Sequence, residues 1–260
     1  MRRRPARGRP AAYARAVLRI IDARTGEPVD AAPARRGLTR VEAHASGCDA
    51  SGLRVLLVAD ILVRALELSG TPVWSLLSGG REQAQELRAA AAALGIRPFE
   101  DGRGAGTALG EAQIVHVAVE GADTATGGVR IAVAPVDATV PAVPARDDDP
   151  AAWRLALLSR RHTRHVRLDE AALDDARRTL ARWRAAVADW ARQPSRPVPD
   201  EVRGRLRGAW EDDLDVPAVL RVLEWVGTDP DLADGARFET YAYADRLLGL
   251  DLTRDLGRAA

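Results

Sequence analysis

A chain of 260 residues with 47% apolar composition can bury one large core or two smaller ones, and no run approaches the ~18 apolar residues of a membrane span. A net charge of +1 gives no global field to gather polyanions, and a single cysteine, Cys48, excludes an intramolecular disulfide framework and any multi-cysteine zinc site. All 38 basic residues are arginine, so chemistry that needs a Walker lysine, a Schiff-base lysine or a lysine phosphate clamp is also excluded.

Residues 1–14 read as a basic, disordered tail, and the polar, alanine-rich sequence after "MRRRPARGRP" lacks the apolar stretch of a secretory signal, so a cytoplasmic protein is expected. "RAVLRIID" (15–22) suits a first strand or edge element, "TGEPVD" a turn, and "TRVEAHA" (39–45) a strand. From Leu53 to Leu68 apolar residues recur every three or four positions, which predicts a helix with one buried face. "TPVWSLL" (71–77) is a short strand, and residues 81–95 form a helix ended by Gly95. "AQIVHVAVEG" and "GVRIAVAPV" are two further strand-like runs. This order predicts an α/β layer with a mainly parallel sheet over 15–140.

"PAVPARDDDP" (141–150) is a linker by composition, and from 151 to 260 the pattern is helical. "AAWRLALLSRR" starts it. Leu173, Ala176, Leu180, Trp183, Val187 and Trp190 then repeat at three- and four-residue steps, a seam that needs a partner helix. Asp200 is placed to cap the next helix, Pro217 sits in the first turn of another, and a last helix covers roughly 235–248. The expected C-terminal architecture is an antiparallel helical bundle.

Several stretches in order resemble the cysteine-activating branch of the class I aminoacyl-tRNA synthetases, and more narrowly its mycothiol-pathway cysteine ligases. "LRIIDARTGEPV" is similar to the family's opening strand, and "RVEAHASG" stands where the family has V-x-M-Y-V-C-G. "LRVLLVADILVRALELSGTPV", with Arg54 and Asp60, resembles the helix after the first signature. "LGIRPFED", "DPAAWRLALLSRRHTR", "LDEAALDDARRTLARWRAAV", "DDLDVPAVLRVLEWV" and "DRLLGLDL" continue the likeness. The resemblance implies a reduced Rossmann-like, class I synthetase-type domain followed by the helical bundle. It also implies descent from enzymes that activate a carboxylate with ATP and select cysteine with zinc.

The chemistry implied by that likeness depends on residues this chain lacks. Adenylation builds negative charge on the α-phosphate and departing pyrophosphate, and the catalyst must present positioned donors there. The family uses H-I-G-H and K-M-S-K-S. Here "SGCDASGL" replaces the first in a shortened segment, and Ser46, Gly47, Asp49, Ser51 and Gly52 are the remnants of the cleft, with Arg54, Trp74 and His116 beside them. "IAVAPVDATVPAVPARDD" stands in place of the second, without lysine or methionine. The first zinc cysteine corresponds to Ser46, and His116 alone of the later ligand segment could ligate, so no metal centre is expected.

Other candidates have plainer readings. Cys48 reads as a spare, partly buried thiol. His162 and His165, three apart beside arginines, suit a helix C-terminus or a solvated face. His116 suits a hydrogen-bonded strand position, and Asp212, Asp213 and Asp215 suit helix caps before Pro217. The leading expectation is a cysteine-ligase-like protein without catalytic residues or cofactor, binding a small molecule or a protein partner. One alternative is an active ATP-dependent ligase with a rebuilt site, in which arginines converge on a deep cleft. The other is an RNA-associated accessory using residues 2–9, although tRNA is not the expected partner.

Overall fold

The computed structural model describes residues 18–32, 38–45, 47–79, 81–102, 111–124 and 127–257, with side chains placed for all of these except 81–83, 111 and 112. The expected basic tail therefore lies outside the described residues. A central five-stranded sheet holds β3 (Leu38–His44), β4 (Val73–Ser78), β5 (Glu100–Asp101), β6 (Glu111–Val119) and β7 (Val129–Val133), in the order β5-β4-β3-β6-β7. Every pairing in it is parallel. The α/β, Rossmann-like expectation holds.

Two early segments differ from expectation. β1 (Arg19–Ile21) does not enter the central sheet; it pairs antiparallel with β2 (Pro28–Asp30) in a separate hairpin. The reversal falls at residues 22–26, where Asp22 anchors the turn by accepting the backbone amides of Thr25 and Gly26 at its carbonyl. Residues read as the turn thus supply the second strand.

In the sheet, Val41, Ala43, Val115, Val117, Val129 and Ile131 share one face and are buried. The helix α1 (Ala50–Leu68) packs on it. The sequence period predicts one buried face for this helix, yet residues 52–63 are buried without interruption. The sheet and α2 (Arg81–Ala93) pack on it, and so does a helix from the C-terminal region. Burial on all sides explains the near-continuous apolar composition of α1, because a helix enclosed by protein has no face to leave polar.

That C-terminal region comprises α3 (Pro150–Leu158), α4 (Glu170–Trp190), α5 (Asp200–Glu211), α6 (Val216–Thr228) and α7 (Asp234–Leu248), with β8 (Val136–Ala138) pairing parallel to β9 (Val166–Leu168) beside them. All six seam residues of α4 are buried, joined by Arg184. Tyr241 of α7 meets Trp183 and Trp190 edge-on, with ring centroids 5.9 and 5.1 Å away. Pro217 opens α6 as expected, and Gly249, at φ 62°, ends α7 in the left-handed conformation. Asp200 is a correction: Pro199 is the cap residue of α5, and Asp200 lies inside the first turn without a capping hydrogen bond.

Candidate functional site

The strand order reverses direction between β3 and β6, because the chain runs outward from β3 to β4 and β5, then returns to β6 on the other side. In open parallel sheets, ligands bind beyond the carboxyl ends of the strands at such a switch point. Here the ends carry His44 of β3 and the turn into α1. Ser46 lies outside the described residues.

The first turn of α1 is closed by the chain itself. Asp49 is the N-cap, and its carboxylate accepts the Gly52 amide at 2.7 Å. A helix N-terminus attracts anions through its free amides and dipole, and Asp49 supplies that anion internally. Gly52 must be glycine, since a Cβ there would collide with the Gly47 carbonyl oxygen. The Ser51 hydroxyl accepts the Val136 amide at 3.0 Å and so ties α1 to β8. Substituting Asp49 by alanine should lower stability by about 1 kcal/mol, the usual worth of a cap, read from the shift of the urea midpoint.

Arg54, expected beside the cleft, is engaged by the backbone. It is 1% exposed, and its guanidinium donates to the carbonyls of Ala134 and Arg164 (both 2.8 Å), Arg161 (2.8 Å) and Arg160 (3.4 Å). Burial pulls its pKa down to about 10, still far above neutrality. It pins together the segments on either side of α3, Ala134 before it and Arg160, Arg161 and Arg164 after it.

The other sheet face carries polar side chains among the apolar Leu76, Ile114 and Ala118. Because parallel partners share a face, Arg40, Glu42 and His44 of β3 lie beside Trp74, Leu76 and Ser78 of β4, with His116 of β6 and Arg130 of β7 on the other side. Most of these are half-buried, while His116 is 2% exposed. Trp74 donates its indole N–H to Glu100 at 2.9 Å. His116 Nδ1 lies 2.9 Å from His44 Nε2 and 3.8 Å from Glu42 Oε2, and the Ser78 hydroxyl donates to Glu42 Oε1. Burial lowers the pKa of both imidazoles. Arg130 adds to the effect at His44; His44, Arg40 and Arg24 add to it at His116; Glu42 opposes it at both. Both rings are therefore mainly neutral at pH 7.

Of the remnant-cleft residues, the structure thus brings His116 and Trp74 onto one face and leaves Gly47, Asp49, Ser51 and Gly52 in the α1 turn. Sequence reading missed Glu42 and His44. Their signal was present, since Arg40, Glu42 and His44 alternate with Thr39, Val41 and Ala43. The partner of that alternation is 72 residues away.

Three further expectations are corrected. Cys48 is exposed instead of partly buried, and burial, Glu86 and Asp49 raise its pKa, which disfavours the reactive thiolate. His162 is 5% exposed, beyond the end of α3, so it neither caps a helix nor shares a face with the exposed His165. Of the three aspartates before Pro217, only Asp215 caps α6, accepting the Ala218 amide at 3.0 Å; Asp213 accepts the Ile21 amide, and Asp212 pairs with Arg161 at 3.5 Å.

The zinc centre implied by the family resemblance rests on thiolates, and the one cysteine in this sequence is in the turn entering α1. The residues do not fit that donor set. Among the described residues a groove of about 540 Å³ lies between α3, β9, α4 and α6, with Arg160, Arg167 and Arg221 in its walls. No residue lining this groove belongs to β3, β6 or the turn into α1. Among the described residues, no helix is long and apolar enough to cross a membrane.

No family model matches the chain. Individual relatives do. It is 41% identical over 117 residues to L-cysteine:1D-myo-inositol 2-amino-2-deoxy-alpha-D-glucopyranoside ligase of Parafrankia sp. (strain EAN1pec), covering 42% of this chain and 26% of the relative. The protein of that name in Streptomyces griseus is 38% identical over 112 residues, which are 40% of this chain and 25% of the relative. The one in Frankia casuarinae is 46% identical over 80 residues, which are 30% and 16%. The chain spans about a quarter or less of the length of these relatives. Over some two fifths of its own length, therefore, this chain is a homologue of proteins named as mycothiol-pathway cysteine ligases.

Proposed function

We propose that the chain is a cysteine-ligase-like protein that no longer activates a carboxylate with ATP, and that it uses the sheet face carrying Glu42, His44 and His116 to bind a small molecule or a protein partner. The observation that carries this reading is the α1 N-terminus. Its Gly52 amide is occupied by the carboxylate of Asp49, and Arg54, the cation that the family likeness places in this helix, is held by four carbonyl groups. A triphosphate arriving there would meet a like charge instead of a cradle. The absence of lysine from all 260 residues removes the usual substitutes.

ATP–pyrophosphate exchange with the purified chain, run across all amino acids including cysteine, tests the reading. No exchange above the protein-free background is expected. A robust rate with any amino acid refutes it and favours the rebuilt-ligase alternative. The groove walled by Arg160, Arg167 and Arg221 lies outside the switch point, so it gives that alternative no support there. The RNA-associated reading depends on residues 2–9; it predicts binding that weakens steeply with salt and is lost on removal of residues 1–10.

A further inference from the structure

We propose that Glu42, His44 and His116 form a binding site for one divalent first-row transition ion, with Zn²⁺ and Co²⁺ as its probes. The donor set is two imidazole nitrogens and one carboxylate oxygen, and one ligand atom from each residue lies within 4.8 Å of the other two. Such N₂O sets suit borderline divalent ions and leave positions open for an added ligand. His116 falls in the segment where the resemblance places the later zinc ligands, whereas Glu42 and His44 precede the Ser46 position that it gives to the first thiolate.

The geometry is close to what an ion requires. With metal–nitrogen bonds of about 2.0–2.1 Å and tetrahedral angles, two ligand atoms stand about 3.3 Å apart. His44 Nε2 and His116 Nδ1 stand 2.9 Å apart, and His116 Nδ1 and Glu42 Oε2 stand 3.8 Å apart. These two separations are each within about half an ångström of that spacing, and the third, between His44 and Glu42, is within 4.8 Å. The backbone is also the best part of the site: Glu42 and His116 are register partners on adjacent strands, and His44 is one pleat further along. Ligands on paired strands are held more firmly than ligands on loops.

The surroundings are those of a prepared ligand set. Ser78 holds Glu42 Oε1 and leaves Oε2 turned toward His116, as outer-shell donors do for metal-binding carboxylates. The His44 Nε2–His116 Nδ1 contact places a proton on one of these two nitrogens, so ligation by both requires that proton to move to the other nitrogen of its ring. Arg40, 3.6 Å from Glu42, together with Arg24 and Arg130, opposes a cation, which sets the expected affinity below that of a closed structural zinc site. His44 and Glu42 are half-buried, so an ion there remains reachable from solvent.

The test is equilibrium dialysis of the full chain, freed of metal by chelator, against Zn²⁺, paired with visible spectroscopy of the Co²⁺-loaded chain. One equivalent should bind, and His44→Gln and Glu42→Gln should each weaken it at least ~tenfold, with a smaller loss for Ser78→Ala. Cys48→Ser and His165→Ala should leave it unchanged. Zn²⁺ should also raise the thermal midpoint of the unaltered chain but not of His44→Gln. The Co²⁺ spectrum keeps the proposal open to refutation even where a variant does not fold: low-symmetry bands without thiolate charge transfer are expected. Absence of binding, binding indifferent to His44→Gln, or a thiolate band marking Cys48 overturns it. The outcome is independent of whether the chain exchanges pyrophosphate.

Discussion

Replacing Asp60 by alanine is expected to cost about 3–5 kcal/mol of folding stability, the usual penalty for removing one member of a buried ion pair. Asp60 is 1% exposed in the middle of α1 and faces Arg154 of α3, which is fully buried, at 2.6 Å. Arg64 and Arg97 reach the same carboxylate, each at 2.9 Å. The remaining Arg154 donors go to the carbonyls of Leu248 and Gly95. One guanidinium therefore joins α1, the end of α2 and the end of α7, and the carboxylate is its counterion. Without Asp60, Arg154 keeps its desolvation and loses its charge partner; Asp245 acts on it from further off.

Burial by itself pushes the Asp60 pKa up, but the charges of Arg154 and Arg64 together with the hydrogen bonds from Arg154 and Arg97 hold the group below the ordinary carboxylate value of 3.8. For a carboxyl depressed in the folded state, the stabilisation is complete above that value and disappears as pH falls through the lower folded-state pKa. Urea unfolding at pH 7 and in acid checks both parts. The gap between the parent and Asp60→Ala should be widest at pH 7 and should narrow in acid. A gap below about 1 kcal/mol at pH 7, the range of surface pairs, would falsify the account.

The second large effect is a gain: Asp213→Asn should raise stability at pH 7 by up to about 3 kcal/mol, and the advantage should vanish near pH 4. Burial raises the Asp213 carboxyl from 3.8 to about 6, with Asp212 and Asp215 adding to the rise and the Ile21 amide and Arg161 opposing it. At pH 7 the group is thus charged at a cost in the folded state. Between pH 6 and 3.8 the fold binds the proton more readily than the unfolded chain, so acidification relieves that cost. His162, 3.7 Å away, runs the other way. Its pKa falls from 6.5 to about 4 through burial, then Arg54 and Arg161, against Asp215.

A neutral buried imidazole loses stability as pH falls from 6.5 toward 4, because the unfolded chain takes up the proton first. The two groups therefore nearly cancel in the parent, and Asp213→Asn uncovers the histidine contribution as a steep loss on acidification. Asparagine suits the site, for Asp213 has φ 53° and its side chain accepts the Ile21 amide, both of which asparagine allows. Urea midpoints from pH 7 down to pH 4 give the answer. A variant less stable than the parent at pH 7 contradicts the assignment of a charged, desolvated Asp213.

The sequence by itself determined the segments with a strong period and the chemistry that is missing. The α4 seam, the strand-helix alternation and the left-handed Gly95 that ends the second helix follow from local rules, since side-chain spacing and backbone freedom are properties of neighbours in the chain. The absence of lysine and the single cysteine needed no fold to be read. Tertiary structure decided what each polar residue touches. Arg54 lies in a helix whose spacing predicted one buried face, and only the packing of the sheet, α2 and the C-terminal region around it brings its guanidinium to four carbonyls. His162 follows two arginines and read as solvated, yet the fold buries it against Asp213. The two-residue period put Glu42 and His44 on one face, but their meeting with His116 is set by the register of β3 on β6, a pairing between distant segments that no local pattern encodes.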